Sequence, residues 1–232
     1  MNYTNKRRFK CSILFLYFIV IMINQGRAQG TQNSDKVKLL WKAAEENDVT
    51  SIQKLIKEGI DIESKDAKRR TALMIATHQQ NNEAAKALID AGANVNALDD
   101  LHDSPFLYAG ASGYTQIVRY CLQHGADFTV FNRYNGTALI PACERGHVET
   151  VKELLKRKDF PIDHVNRLGW TALLEAIILS DGGPAQVQIV QLLVDAGCNV
   201  NIADKDGVTP LAHARKKAFG QIVAILEKAG AK

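Results

Sequence analysis

The sequence predicts an all-α chain, a solenoid of stacked helix-turn-helix units, from three observations. A six-residue stretch, Thr71-Ala-Leu-Met-Ile-Ala76, returns as Ser104-Pro-Phe-Leu-Tyr-Ala109, Thr137-Ala-Leu-Ile-Pro-Ala142, Thr171-Ala-Leu-Leu-Glu-Ala176 and Thr209-Pro-Leu-Ala-His-Ala214. The starting positions step by 33, 33, 34 and 38 residues, a period that belongs to stacked repeats. Between copies, apolar residues recur at helical spacing and close on turns such as Ala91-Gly-Ala-Asn-Val-Asn96.

The N-terminus reads as an export signal. Lys6-Arg-Arg-Phe-Lys10 is a basic patch, Cys11 to Ile23 is an unbroken run of 13 apolar or small residues, and Gly26-Arg-Ala28 places small residues before a cleavage point. The run is short of the about 20 residues that span a bilayer comfortably. Residues 1–28 are therefore expected to be a signal peptide, with an uncleaved anchor as the alternative, and 29–35 a flexible polar leader.

The repeat domain is expected over 36–232. Its first unit, 36–64, is degenerate. Val37, Leu40, Ala43 and Ala44 predict one helix, Ile52, Leu55 and Ile56 a second, and Gly59 its end. It lacks the Thr-Ala-Leu start, as suits a terminal cap with one neighbour. In unit 65–97, Thr71 opens the first helix by capping free backbone N–H groups. Ala84, Ala87, Leu88 and Ile89 mark the second, which Gly92 stops. Unit 98–130 opens on Ser104-Pro105, proline being harmless in a first helical turn. Its second helix carries Ile117, Val118, Cys121 and Leu122.

Unit 131–164 is irregular. Pro141 falls within its first helix, where an interior proline costs roughly 3 kcal/mol, so a kink or a very short helix is expected. Lys158-Asp-Phe-Pro-Ile-Asp163 replaces the closing glycine turn. In unit 165–202, Ser180-Asp-Gly-Gly-Pro-Ala185 is inserted between the helices, which accounts for the longer step. The last unit, 203–232, is regular, and Lys216, Lys217, Gln221, Glu227 and Lys228 suit an exposed C-terminal cap.

Composition narrows the functional classes. Hydrophobic residues make up 46% of the chain, enough to bury a core. The formal charge of +4 misleads, because residues 1–28 hold five of the 29 basic residues and none of the 25 acidic ones. The remainder carries a net charge of −1, which argues against nucleic acid or an anionic membrane as partner. Cys121, Cys143 and Cys198 follow no zinc spacing and are expected as buried small hydrophobes, at least one of them unpaired within the chain.

The repeated residues resemble the ankyrin repeat. Asp204-Lys-Asp-Gly-Val-Thr-Pro-Leu211, Gly146-His147, Val190-Gln-Leu-Leu193 and Gly92-Ala-Asn-Val-Asn96 carry the likeness, which covers about 36–232. Gly169-Trp-Thr-Ala-Leu-Leu-Glu-Ala176 and Asp206-Gly-Val-Thr-Pro-Leu-Ala-His-Ala214 look like exported bacterial members. The sequence departs from the family at the histidine that often follows Thr-Pro-Leu, where Met74, Leu107, Ile140, Leu174 and Ala212 stand, and at Asn135-Gly136, where the finger glycine is displaced. The resemblance implies L-shaped units with β-turn fingers, and a concave face of finger tips and first helices that binds proteins.

On that basis function falls to residues that differ between repeats. Trp170, just before Thr171, is the first candidate, with Arg133, Tyr134, Arg167 and Leu168 beside it. Glu144, Arg145, Leu101, Asp103, Arg70, Lys68 and His78 complete the protein-binding set. Aromatic and arginine side chains on a rigid platform dominate interface energy. The six histidines share no HxxxH or HExxH spacing, and no Gly-x-Ser-x-Gly elbow, phosphate loop or CxxC occurs. Asp66, Asp99 and Asp204 are expected to cap turns. Asn135-Gly-Thr137 is a glycosylation sequon, relevant in a eukaryote. The expectation is a non-enzymatic, monomeric, periplasmic or secreted binder of a protein partner. It needs no cofactor or metal, and takes no nucleic acid or, once the signal is removed, membrane. The alternatives are an inhibitor or immunity protein against a secreted toxin or hydrolase, and a small-molecule binder using the 180–185 loop.

Overall fold

A computed structural model describes residues 33–232. The expected signal peptide, and residues 29–32 of the leader, lie outside the described residues. Residues 33–35, assigned to the flexible leader from sequence, instead begin the first helix. Leu40, Ala43 and Ala44 are buried and anchor that helix, and Asp35 near its start is favoured by the helix dipole.

Every regular element among the described residues is a helix. In chain order they are α1 (33–45), α2 (Val49–Lys57), α3 (Ala72–His78), α4 (Asn82–Asp90), α5 (Pro105–Ser112), α6 (Thr115–Gln123), α7 (Leu139–Glu144), α8 (Val148–Leu155), α9 (Ala172–Ile178), α10 (Pro184–Asp195), α11 (Pro210–Lys216) and α12 (Gly220–Lys228). Helices α3, α5, α7, α9 and α11 stack in one row, and α2, α4, α6, α8, α10 and α12 in a second. One continuous apolar core runs the length of the array, from Leu40 to Leu226. Leu73, Phe106, Leu139, Leu173 and Leu211, one from each repeated stretch, are buried in the first row.

The repeated Thr or Ser works as predicted in four units. Its hydroxyl oxygen accepts from the backbone N–H three residues on, at 3.2 Å in Thr71–Met74, Ser104–Leu107 and Thr171–Leu174 and at 3.3 Å in Thr209–Ala212. Unit four is the exception. In the others the carbonyl of the capping residue accepts an N–H four residues on, as Thr71 does from Ile75 at 3.0 Å. Pro141 has no N–H to give Thr137, so α7 starts late, at Leu139, and is six residues long. Pro141 thereby falls in the first turn, where no hydrogen bond is lost. The Thr137 hydroxyl is buried without a partner among the described residues.

The irregular end of unit four packs on its neighbour. Phe160 is buried, and its ring lies 4.7 Å from that of Phe128, itself 6.0 Å from Phe106. Asp163 Oδ1 accepts from Asn199 N at 2.9 Å, much as Asn96 Oδ1 accepts from Asp127 N. The inserted loop also packs. Asp181 Oδ1 accepts from Gly183 N at 2.9 Å, and Lys217 Nζ donates to the Ser180 carbonyl at 3.0 Å. Gly182 has a φ of 70°, and a Cβ there would sit 2.5 Å from the Phe219 ring, so only glycine fits. The loop is thus seated on the last unit. Cys121, Cys143 and Cys198 are free thiols, the first two buried and the third half-buried. Burial pushes the Cys198 thiol up to about 12 and the other two upward as well, leaving them inert as nucleophiles.

Candidate functional site: the groove over units three to five

Each finger is a turn closed on an Asp or Asn. Asp66, Asp99, Asn132, Asn166 and Asp204 each accept through Oδ1 from the N–H groups two and four residues on, at 2.8–3.1 Å. One residue per finger takes a positive φ: Arg69, His102, Asn135, Gly169 and Gly207. Asn135 fills that position at φ 56°, so displacing the glycine to Gly136 leaves the finger intact. Asn tolerates this conformation better than most residues. Within the sequon Thr137 is buried, and His164 Nε2 lies 2.6 Å from the Asn135 carbonyl.

Neighbouring fingers are linked. Asp100 N donates to the Lys68 carbonyl at 3.1 Å and Arg167 N to the Tyr134 carbonyl at 2.9 Å. Arg133 Nη1 reaches Asp103 Oδ2 at 3.1 Å, and Arg167 Nη1 reaches the Arg133 carbonyl at 3.0 Å. Lys205 Nζ donates to the Arg167 carbonyl. These links hold the finger tips at a fixed spacing.

Fingers and first helices of units three to five enclose a groove of about 490 Å³. Leu101, Tyr134 and Leu168 occupy equivalent tips and are 59%, 50% and 45% exposed. Leu179, at the end of α9, adds a fourth apolar side chain at 48%. The same tip position holds Lys68 in unit two and Asp206 in unit six, so the apolar stripe is confined to the middle. An exposed apolar patch rimmed by polar groups marks an interaction surface.

The polar wall comes from fingers and first helices. Arg145 Nη1 donates to the Ala111 carbonyl at 2.6 Å, and the Arg133 guanidinium sits 5.0 Å from the Tyr134 ring. Burial holds the Asp103 carboxyl above the ordinary range despite Arg133. Glu175 lies on the floor, 5% exposed, with Asn166 Nδ2 donating to its Oε1 at 2.8 Å. Burial, helped by the charge of Glu144, pushes this carboxyl up to about 7.

The family model for ankyrin repeats (three copies) matches residues 39–132 and 130–204. The chain belongs to the ankyrin repeat family. The ankyrin repeat protein YahD of Escherichia coli K12 is 39% identical over 189 residues, covering 82% of this chain and 94% of YahD. An ankyrin repeat domain from Acinetobacter baumannii AYE superposes with a TM-score of 0.81 at 53% identity, covering 83% of this chain and 98% of that domain. The human mitochondrial disaggregase is 30% identical over 206 residues, and this chain spans 27% of it. Ankyrin repeats are in general protein-interaction modules without catalytic activity. Among the described residues of this ankyrin array no helix is long and apolar enough to cross a membrane, and no three metal-ligating side chains cluster.

The structure gathers seven of the twelve candidates: Leu101, Asp103, Arg133, Tyr134, Glu144, Arg145 and Leu168 line the groove. Five do not. Trp170 is half-buried, its N–H and carbonyl both bonded to Asn166, and is not part of the groove wall. Arg167 spans finger carbonyls, Arg70 is clasped on Asp66 through two nitrogens at 2.9 and 2.7 Å, and Lys68 is an exposed tip one unit away. His78 packs against Tyr108, ring centres 4.0 Å apart and planes tilted by 42°, with Nε2 buried and unpartnered among the described residues. Burial, with Arg70 nearby, pushes its pKa down.

Tyr108, Glu175 and Leu179 also line the groove and escaped the sequence reading. A signal for two of them existed. Within the repeated hexapeptide the fifth position runs Ile75, Tyr108, Pro141, Glu175, His213, changing chemistry while its neighbours hold. That position faces the finger, as the 2.7 Å contact between His213 Nε2 and Asp204 Oδ2 also shows.

Proposed function

We propose that this chain is an exported, non-enzymatic module that binds a protein partner in the groove over units three to five. The observation that carries the reading is the row of Leu101, Tyr134 and Leu168, three exposed apolar tips on fingers tied rigidly together. A preorganised apolar surface binds without a large ordering cost. Export is supported by the basic patch, the apolar run and the small residues of positions 1–28.

The test is a C-terminally tagged full-length chain, expressed in its own organism, fractionated, cross-linked and recovered. The chain is expected in the envelope or medium with one dominant protein. Tyr134→Ala with Leu168→Ala should lower affinity for that protein at least roughly 30-fold, the effect of losing one central hot spot. Trp170→Ala should change it little. Equal recovery by the groove variant refutes the site, and a chain confined to the cytoplasm refutes export.

A further inference from the structure

Resting on the reading of the groove as a protein-binding face, we propose a chemistry for its occupant. It is an extended segment carrying a lysine or arginine whose cation enters between Glu144 and Glu175, with apolar neighbours covering Leu101, Tyr134 and Leu168.

Glu175 is the reason. It stands where other units have Ile75, Tyr108, Pro141 and His213, and it is 95% buried while still lining the groove. One carboxylate oxygen accepts from Asn166 Nδ2. Among the described residues the other has no hydrogen-bond partner and the carboxylate has no salt bridge. The next unit shows the same pair of positions completed within the chain, His213 on Asp204 at 2.7 Å. Unit five keeps a buried acid that lines the groove with one oxygen uncommitted among the described residues. A buried charge is retained at a cost unless something pairs it.

Of the neighbouring cations only Arg133 has a salt bridge among the described residues; Arg145 has none, and its charge bears on Glu175. Arg133 pairs with Asp103 at 3.1 Å and Arg145 donates to the Ala111 carbonyl at 2.6 Å. Glu144, half-buried on α7, has no salt bridge among the described residues, and its charge bears on Glu175. What the groove leaves open is negative, while its rim is apolar. A long aliphatic stem ending in a cation matches both: the stem lies on Tyr134 and Leu168, and the head meets the carboxylates. An anionic or wholly apolar segment would leave Glu175 buried and unpaired.

The experiment pans a random linear peptide library on the full chain and measures the enriched peptides by calorimetry. Enriched sequences should share one Lys or Arg flanked by apolar residues. Replacing that cation by Gln, or Glu175→Gln in the protein, should each weaken binding at least roughly tenfold, and the two together little more than either alone. Gln at 175 can still accept from Asn166, so the fold is preserved. Peptides without a cation, or insensitive to Glu175→Gln yet lost with Tyr134→Ala, overturn the cation assignment and leave the groove reading standing. Peptides insensitive to both substitutions overturn the groove reading as well.

Discussion

Leu193→Ala in α10 is expected to destabilise the array by about 2–5 kcal/mol, and Leu226→Ala in α12 by clearly less. Both side chains are fully buried, so burial alone predicts equal losses. The difference comes from what surrounds them. Helix α10 is packed between α8 and α12 and against α9, whereas α12 packs on α10 and α11 and, among the described residues, has no further second-row helix on its other side. A cavity at α10 is held open from both sides. At α12 the terminal unit can relax or fray, and a repeat array loses only one nearest-neighbour interface there. Urea unfolding of the two variants and the wild type checks this. A larger loss for Leu226→Ala would contradict the stacked account of stability.

Glu175→Gln is expected to stabilise the protein at pH 8 by on the order of 2–3 kcal/mol, and to have little effect near pH 4. The sign follows from the folded carboxyl, which is pushed up to about 7 from an ordinary 4.5. Below about pH 4.5 the group is protonated in both states and the wild type keeps its full stability. Between 4.5 and 7 the unfolded chain ionises first, so stability falls as pH rises, by at most about 1.4 kcal/mol for each step of one in pH. Above 7 the loss is complete. The charged or polar groups that bear on Glu175 are Glu144 at the end of α7, Arg145 just past it and Asn166 in its own finger. His78 and His147, both pushed down by burial, act in the opposite sense, losing stability as pH falls below about 6.5. The difference between Glu175→Gln and wild type cancels them. A thermal-melt series showing a pH-independent difference would contradict the buried-acid account.

The fold was legible because its signals are periodic. Thr71, Ser104, Thr171 and Thr209 each cap a helix, and the Asp and Asn of each finger close the same turn. Local rules applied in register add up to an architecture. Unit four shows where they fall short. Asn135 replaced glycine without changing the finger, because it shares glycine's tolerance of positive φ. The lining of the candidate groove was legible at the tips, Leu101, Tyr134 and Leu168, because variation at one register position is visible in the sequence. Trp170, singled out by its size, is not among the residues that line the groove. Glu175 was missed because its chemistry depends on Asn166, nine residues earlier, and on Glu144 of the preceding unit. Only the stacking brings these together.

The most direct test of the groove as the binding face is amide hydrogen exchange of the full chain, alone and with the partner it captures. The account predicts slowed exchange in the fingers at 99–103, 132–136 and 166–170 and in α5, α7 and α9, with α4, α6, α8 and α10 unchanged. Protection confined to the second-row helices or to the terminal units would contradict it.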